Sequence, residues 1–495
     1  MKLIKKHYLL LLGLIIVLPT LWPLFRSDFF RMHDWTHVAR LVELDLAIKA
    51  GQIPPRWAYD FGWGYGMPLF HFYNPLPYYI AEVLYLIKVP AVWAIKAVFG
   101  LNFFLGFYFM YLWAKTFWGR YGALVAATAF TYLPYRAVDF YVRGTLGELT
   151  AMTFLPLLFY ALKKKKLILS SLAWSAIFLS HNVIGLFSLF FIPLYFLFNL
   201  KHWRKFALIS ILTFGLSAFF LLPAFFEKDL TIVDSLTGGF FNYAYHFIYL
   251  RQLFIRTWAY GGSILGPFDD ISFQLGWPQV LLILPALIIW RKHLYVLIGL
   301  AISIFMMTFH SQFIWDRIPL LAMAQFPWRL LAFATTFIAF LSGSVFLLVK
   351  KKYLSILATG IILLIIGLNI SYFQPEKFSP TENFYYTDRQ KIATEMSGVL
   401  ADYLPKTYVK PEKPRDINSQ FNQFYFPGWQ IKIDNQTTPA QLDPLTGLIQ
   451  LPEGEKQMEI KLGKTRLQQF SDMISLICWG GLLFWVLKYY VRRFI

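Results

Sequence analysis

Apolar runs close to the roughly 20 residues needed to cross a roughly 30 Å hydrocarbon core recur along the whole chain, and they restrict it to a bundle of membrane helices. They lie at 8–25, 91–114, 121–135, 147–162, 167–180, 183–200, 207–226, 276–290, 294–310, 327–349, 353–373 and 472–488. The run from 167 to 200 must be two of them. As a single helix it would be about 50 Å long at 1.5 Å per residue, so a hairpin is expected, with His181 and Asn182 at its tip. An apolar fraction of 57% and a mean hydropathy of +0.51 exceed the roughly 45–50% apolar content of ordinary soluble domains.

These runs make about twelve crossings, and the basic clusters fit that number. Lys2/Lys5/Lys6, Lys115/Arg120, Lys163 to Lys166, Lys201/Arg204/Lys205, Arg291/Lys292, Lys350 to Lys352 and Lys488/Arg492/Arg493 are each separated from the next by an even number of crossings. Positive loops stay in the cytoplasm. Both termini are therefore expected inside a plasma membrane, with the long loops outside. The net charge of +19 resides largely in these clusters; it reports orientation and attraction to anionic membrane lipid, and no nucleic-acid partner is expected. The first run comes after a charged start but lacks a small-residue cleavage site, so it reads as an uncleaved anchor. Cys478 is the only cysteine, which rules out disulfides within the chain and thiolate metal sites.

The expected organisation is a transmembrane domain over 1–373, an outer β-rich domain over 374–471, and a final helix with a cytoplasmic tail over 472–495. The first outer loop, 26–90, is a polar and aromatic island at the membrane edge, the kind of loop that binds or reacts. Helix periodicity over 35–50 puts Trp35, Val38, Val42 and Leu46 on one side and pairs Arg40 with Glu43 on another. Asp34 stands at its expected N-cap, and Gly51 with Pro54 and Pro55 ends it. The stretch 77–89 is too short to cross and return, so it is expected to lie in the interface with Tyr78 and Tyr79 at headgroup level. Gly62, Gly64 and Gly66 have no strand before them, so they read as tight turns around Trp63 and Tyr65, not as a nucleotide loop.

A second outer loop, 227–275, carries Lys228, Asp229, Asp234, Asp269 and Asp270. In the outer domain, 421–426, 430–433, 448–451 and 457–462 read as strands, Asp434-Asn435 and Pro452-Glu453-Gly454 as turns, and 388–403 as a helix. No inverted repeat of the kind found in many transporters is evident.

Asp34, His37 and Arg40, the 51–57 segment, Gly64-Tyr65-Gly66, Phe72 to Leu76, Arg143-Gly144 with Glu148, His181-Asn182, Gln325 to Arg329 and Phe426 to Trp429 together carry a family resemblance. The chain resembles the GT-C superfamily of polytopic glycosyltransferases. More closely, it is similar to bacterial membrane proteins labelled 6-pyruvoyl-tetrahydropterin synthase-related, relatives of the YfhO-like glycosyltransferases. The pterin label does not suit the residues. That activity belongs to soluble proteins with a three-histidine zinc site, whereas the nine histidines here are scattered without ligand spacing.

The resemblance implies sugar transfer from a polyprenyl-phosphate carrier to a hydroxyl of a glycan, glycolipid or polymer acceptor at the outer face. Asp34 then corresponds to the loop acid that takes the acceptor's proton, unless it only caps the helix after it. Arg329 is the candidate for the departing phosphate; an interfacial arginine that snorkels is the alternative. Arg143 and Glu148 either contact substrate or form an ion pair that holds a turn. His181 and Asn182 either line the site or make an interhelical hydrogen bond. His37 either orients Asp34 or lies on a solvated face, and Arg40 either binds or pairs with Glu43. No cofactor is required, although Asp269 and Asp270 could hold a divalent cation if they are not simply solvated. The competing function is a non-catalytic transporter or assembly scaffold for lipid-linked sugars. Such a protein favours ionisable residues at mid-membrane and repeated halves.

Overall fold

The computed structural model describes residues 2–494 except 380–382, 400, 435 and 453–457. It is a helical membrane protein with a small β-rich region toward the C-terminal end. Among the described residues six helices are long and apolar enough to cross a membrane: Ala91–Thr131, Leu146–Lys163, Leu200–Phe226, Pro327–Leu347, Lys351–Tyr372 and Arg466–Lys488. Five shorter apolar helices accompany them, at Leu11–Phe25, Leu167–Ser180, Asn182–Leu197, Trp277–Ile288 and Leu294–Met306. A break at Gly119, whose φ of 69° no helix tolerates, divides the first long helix where the sequence places a basic turn. With that division, every apolar run read from the sequence falls on a helix. Several of these helices turn their apolar side chains outward: Leu476, Ile477 and Phe484 are 72%, 65% and 67% exposed. Side chains of that kind require a lipid solvent.

The chain divides into two compact units. One comprises Met1–Trp35, Lys96–Ser210 and Thr237–Thr381; the other comprises Thr36–Ile95, Ile211–Leu236 and Glu382–Ile495. In the first, the helices Leu146–Lys163 and Leu167–Ser180 form an antiparallel pair, turning at Lys164 and Lys165. The hairpin at His181 is present as expected, and there His181 caps the helix Asn182–Leu197. A short antiparallel pairing of Phe29–Phe30 with Phe378–Ser379 ties the start of the first outer loop to the chain after the helix Lys351–Tyr372.

In the second unit the helix His37–Lys49 begins two residues later than expected. Its N-cap is Thr36, so Asp34 does not cap it. The helix is buried on nearly every side, Arg40 and Glu43 included, so the one-sided pattern expected over 35–50 underestimates how deeply it is packed. Glu43 accepts the backbone N–H of Asp60 at 3.0 Å instead of pairing with Arg40. Tyr78, on the helix Leu76–Leu86, is 1% exposed and packs inside the unit.

The β-rich region holds a three-stranded antiparallel sheet in the order Gln436–Pro439, Trp429–Ile433, Glu459–Leu462, with a separate pair Gln441–Leu442 and Ile449–Gln450. Two expectations fail here. The segment 421–426 contributes only an isolated bridge from Phe424 to Leu448, and the helix over 388–403 is broken into short turns after Arg389–Lys391. Pro427 and Gly428 end any regular strand before Trp429, because proline cannot donate to a ladder. The turn at Asp434-Asn435 and that at 452–454 include residues outside the described set.

Candidate functional site

Two stretches far apart in sequence run side by side in the first unit. The His33 N–H donates to the Val142 carbonyl at 3.0 Å, and the Asp34 N–H donates to the Arg143 carbonyl at 2.9 Å. The His33 ring adds a contact of 2.9 Å to the Tyr260 carbonyl. Arg143 comes directly after a π-helical turn, Val138–Val142, and precedes Gly144. Such widened turns recur at functional sites. Gly144 has a φ of 66°, and a Cβ at this position would run into the Met32 side chain, so only glycine lets the segment before Asp34 lie this close.

Glu148, in the first turn of the helix Leu146–Lys163, is the centre of the charge cluster. Its Oε2 accepts from Arg143 Nη1 at 2.9 Å and its Oε1 from the Tyr135 hydroxyl at 2.5 Å. Arg143 also donates to Asp139 Oδ1, and its guanidinium lies 4.6 Å from the centre of the Trp328 ring. Two further groups approach the same carboxylate without bonding to it. Arg329 Nε stands 3.7 Å from Glu148 Oε2, and His181 Nε2 stands 3.9 Å away. Gly147 allows this by packing its Cα against the Ser180 carbonyl, which brings the hairpin tip alongside Glu148. His181 Nδ1 accepts the Ile184 N–H, which leaves its Nε2 to carry the proton facing Glu148.

Arg329 is positioned from behind. Its Nη1 donates to the Ala324 carbonyl at 3.1 Å and to Gln325 Oε1 at 3.0 Å, while its Nε has no hydrogen-bond partner. Gln325 itself has a φ of 61°, a conformation that costs a non-glycine residue and that clusters at binding sites. Burial, and then the neighbouring Glu148 charge, push the Asp139 carboxyl well above the usual carboxylate range. The cluster thus sets the two guanidiniums of Arg143 and Arg329 around the carboxylates of Glu148 and Asp139, next to the backbone of Asp34.

Five of the residues singled out from the sequence thus come together in one unit: Asp34, Arg143, Glu148, His181 and Arg329. Asn182 opens its helix on the exposed side. His37 and Arg40 belong to the other unit. There the buried Arg40 donates to the hydroxyls of Tyr73 at 2.8 Å and Tyr78 at 3.2 Å, and the Tyr78 hydroxyl lies 2.8 Å from His37 Nδ1. That is an aromatic hydrogen-bond network and not the solvated helix face or the Arg40–Glu43 pair read from the sequence. Asp269 accepts from Gln252 at 2.7 Å and from the Ile264 N–H at 2.9 Å, so it closes its own loop. No group of three or more metal-ligating side chains occurs among the described residues. Sequence reading missed Asp139 and Tyr135. The spacing of Asp139, four residues before Arg143, was the available signal.

No family model matches the chain. An uncharacterized protein of Lactococcus lactis subsp. cremoris (strain MG1363) is 25% identical over 253 residues, which cover 46% of this chain and 40% of that relative. The chain therefore matches less than half of the relative's length. Among solved structures, arabinofuranosyltransferase AftD from Mycobacteria matches 75% of this chain and 27% of its own at 13% identity, with a TM-score of 0.49. The oligosaccharyltransferase of Archaeoglobus fulgidus matches 86% of this chain and 62% of its own at 14% identity, with a TM-score of 0.47. Likenesses this distant are similarities of helical arrangement and say nothing of substrate or reaction.

Proposed function

We propose that the chain is a membrane glycosyltransferase of the GT-C type. It moves a sugar from a polyprenyl-phosphate carrier to a hydroxyl of a glycan, glycolipid or polymer acceptor at the outer face of the plasma membrane. The observation that supports this reading is the backbone pairing of Asp34 with Arg143, which sets an acidic residue next to a buried cluster holding two guanidiniums, those of Arg143 and Arg329. Sugar transfer needs those two things together. The acceptor oxygen attacks the anomeric carbon, its proton passes to the Asp34 carboxylate, and the bond from that carbon to the carrier phosphate breaks. The phosphate leaves with added negative charge, which Arg329 stabilises with Arg143 behind it. A single displacement of this kind inverts the anomeric centre.

Arg329 is suited to the phosphate because its Nε is unused and it is pinned on one edge only. Arg143 is the anchor, since its bonds to Glu148 and Asp139 are already made. The test is Asp34→Asn in lipid nanodiscs. Transfer should fall by roughly 10²–10⁴-fold, the usual contribution of a general base, while the protein stays folded in the membrane. Wild-type turnover by this variant removes Asp34 as the base. Absence of transfer by the wild-type protein from any polyprenyl-phosphate sugar, with carrier binding intact, favours the scaffold reading instead.

A further inference from the structure

In the second unit, four of the five residues from Gly62 to Gly66 have positive φ: Gly62 at 60°, Trp63 at 59°, Gly64 at 82° and Gly66 at 76°. Glycine adopts this conformation freely. Tryptophan does not, because its Cβ crowds the following carbonyl oxygen. The surroundings hold Trp63 there from both sides. Its N–H donates to Ser397 Oγ at 3.0 Å, its carbonyl accepts the Arg415 N–H at 2.9 Å, and the Gly64 carbonyl accepts Arg415 Nε at 2.8 Å.

That strain leaves the side chain short of full burial. The Trp63 ring is only half-buried and lies nearly parallel to Tyr408, at an interplanar angle of 18° with centroids 6.4 Å apart. Tyr408 and Tyr65, also half-buried, both rest on the buried Phe424, at 6.1 and 5.6 Å. The three partly open rings are thus linked through one aromatic footing, Tyr408 and Tyr65 on Phe424 and Trp63 on Tyr408. Among the described residues, no hydrogen bond engages the Trp63 indole N–H or the hydroxyls of Tyr65 and Tyr408. Other tyrosines of this unit are engaged: Tyr59 by Gln52, and Tyr73 and Tyr78 by Arg40.

We propose that Trp63, Tyr408 and Tyr65 form a stacking platform for a neutral carbohydrate, the glycan acceptor of the transferase; in naming the acceptor the inference rests on the function proposed above. The chemistry matches on both counts. The C–H face of a pyranose packs on an aromatic face, and its rim hydroxyls meet the free N–H and O–H groups. Strain at a displayed side chain persists where its position is selected for binding. A ring that served only to pack the loop would be more comfortably placed at negative φ.

The test uses the full chain in nanodiscs with no sugar donor present, so that failure here leaves the transfer chemistry to its own Asp34→Asn experiment. Binding of maltohexaose, cellohexaose, chitohexaose and mannohexaose is measured by calorimetry. Saturable binding to at least one is expected, weakened about tenfold or more by Trp63→Ala and kept in part by Trp63→Phe. Trp63→Gly should lose binding equally yet melt no lower than the wild type, because glycine relieves the strained backbone. The proposal is overturned if the wild type binds none of the four sugars, if Trp63→Ala binds as well as the wild type, or if Trp63→Gly melts well below it, which would make the ring a structural support.

Discussion

Each unit of the molecule buries a carboxylate among cations, and the two are finished differently. In the second unit, Glu227 is saturated: Oε1 accepts from Thr465 at 2.6 Å, and Oε2 accepts from Gln468 at 3.0 Å and meets His71 Nε2 at 2.7 Å. Its neighbour Asp472 has Arg56 on one oxygen at 2.9 Å and Lys464 on the other at 2.7 Å. Around Glu148 in the first unit, Arg143 and Tyr135 are bonded while Arg329 and His181 stand off beyond bonding distance. A buried network in which each oxygen is met holds helices together. One that keeps a guanidinium close, with its Nε unbonded, is prepared for an anion that arrives from outside.

The largest effect should come from breaking the saturated network. Asp472→Ala strands Arg56 without its carboxylate, and loss of a buried partner costs about 3–5 kcal/mol. Thermal unfolding in detergent should show a large drop, and wild-type melting would mean that this network carries no structural load. Arg329→Gln should behave in the opposite way. Glu148 keeps its bonds to Arg143 and Tyr135, so melting should change little, while binding of polyprenyl phosphate weakens by roughly 1.5–3 kcal/mol, the worth of a charge-assisted hydrogen bond. Equal loss of stability in both variants would erase the contrast.

Two smaller effects concern protons. Asp139 has a raised folded-state pKa, so the folded protein holds a proton that the unfolded chain releases, and stability should fall as pH rises above the ordinary carboxylate range. Asp139→Asn mimics the protonated form; its melting curve should be flatter with pH than that of the wild type. In the second unit, burial and then the nearby Asp45 push Glu82 up to about 7. By the same sign, wild-type stability should decline between about pH 4.5 and 7, and Glu82→Gln should remove part of that slope. An unchanged slope would show that Glu82 titrates normally in the folded protein.

Much of this architecture is legible because lipid imposes a length on every spanning segment, and the apolar runs keep to it. The break at Gly119 and the hairpin at His181 come from the same arithmetic. The pairing of Arg143 with Glu148 is also legible, since five residues around a glycine turn leave few other partners. The N-cap is not. Asp34 satisfies the local rule for a cap, but its backbone is taken by Arg143, more than a hundred residues away, and the helix begins after Thr36, whose side chain makes no capping bond. Arg40 fails for a similar reason: helix spacing offers it Glu43, and the tertiary structure gives it Tyr73 and Tyr78. Asp139 went unread because an acid inside an aromatic stretch gains meaning only once the turn containing it is known to be widened.

That widened turn, Val138–Val142, fixes the angular phase at which Arg143 leaves it. Each residue of a helix advances the chain by about 100°, so deleting a single residue there would swing Arg143 to a different bearing without shortening any helix that crosses the bilayer. Lipid-facing helices can absorb changes of length by tilting. No tilt restores a guanidinium aimed the wrong way, and insertions and deletions should accordingly be tolerated in the exposed helices long before they are tolerated between Val138 and Val142.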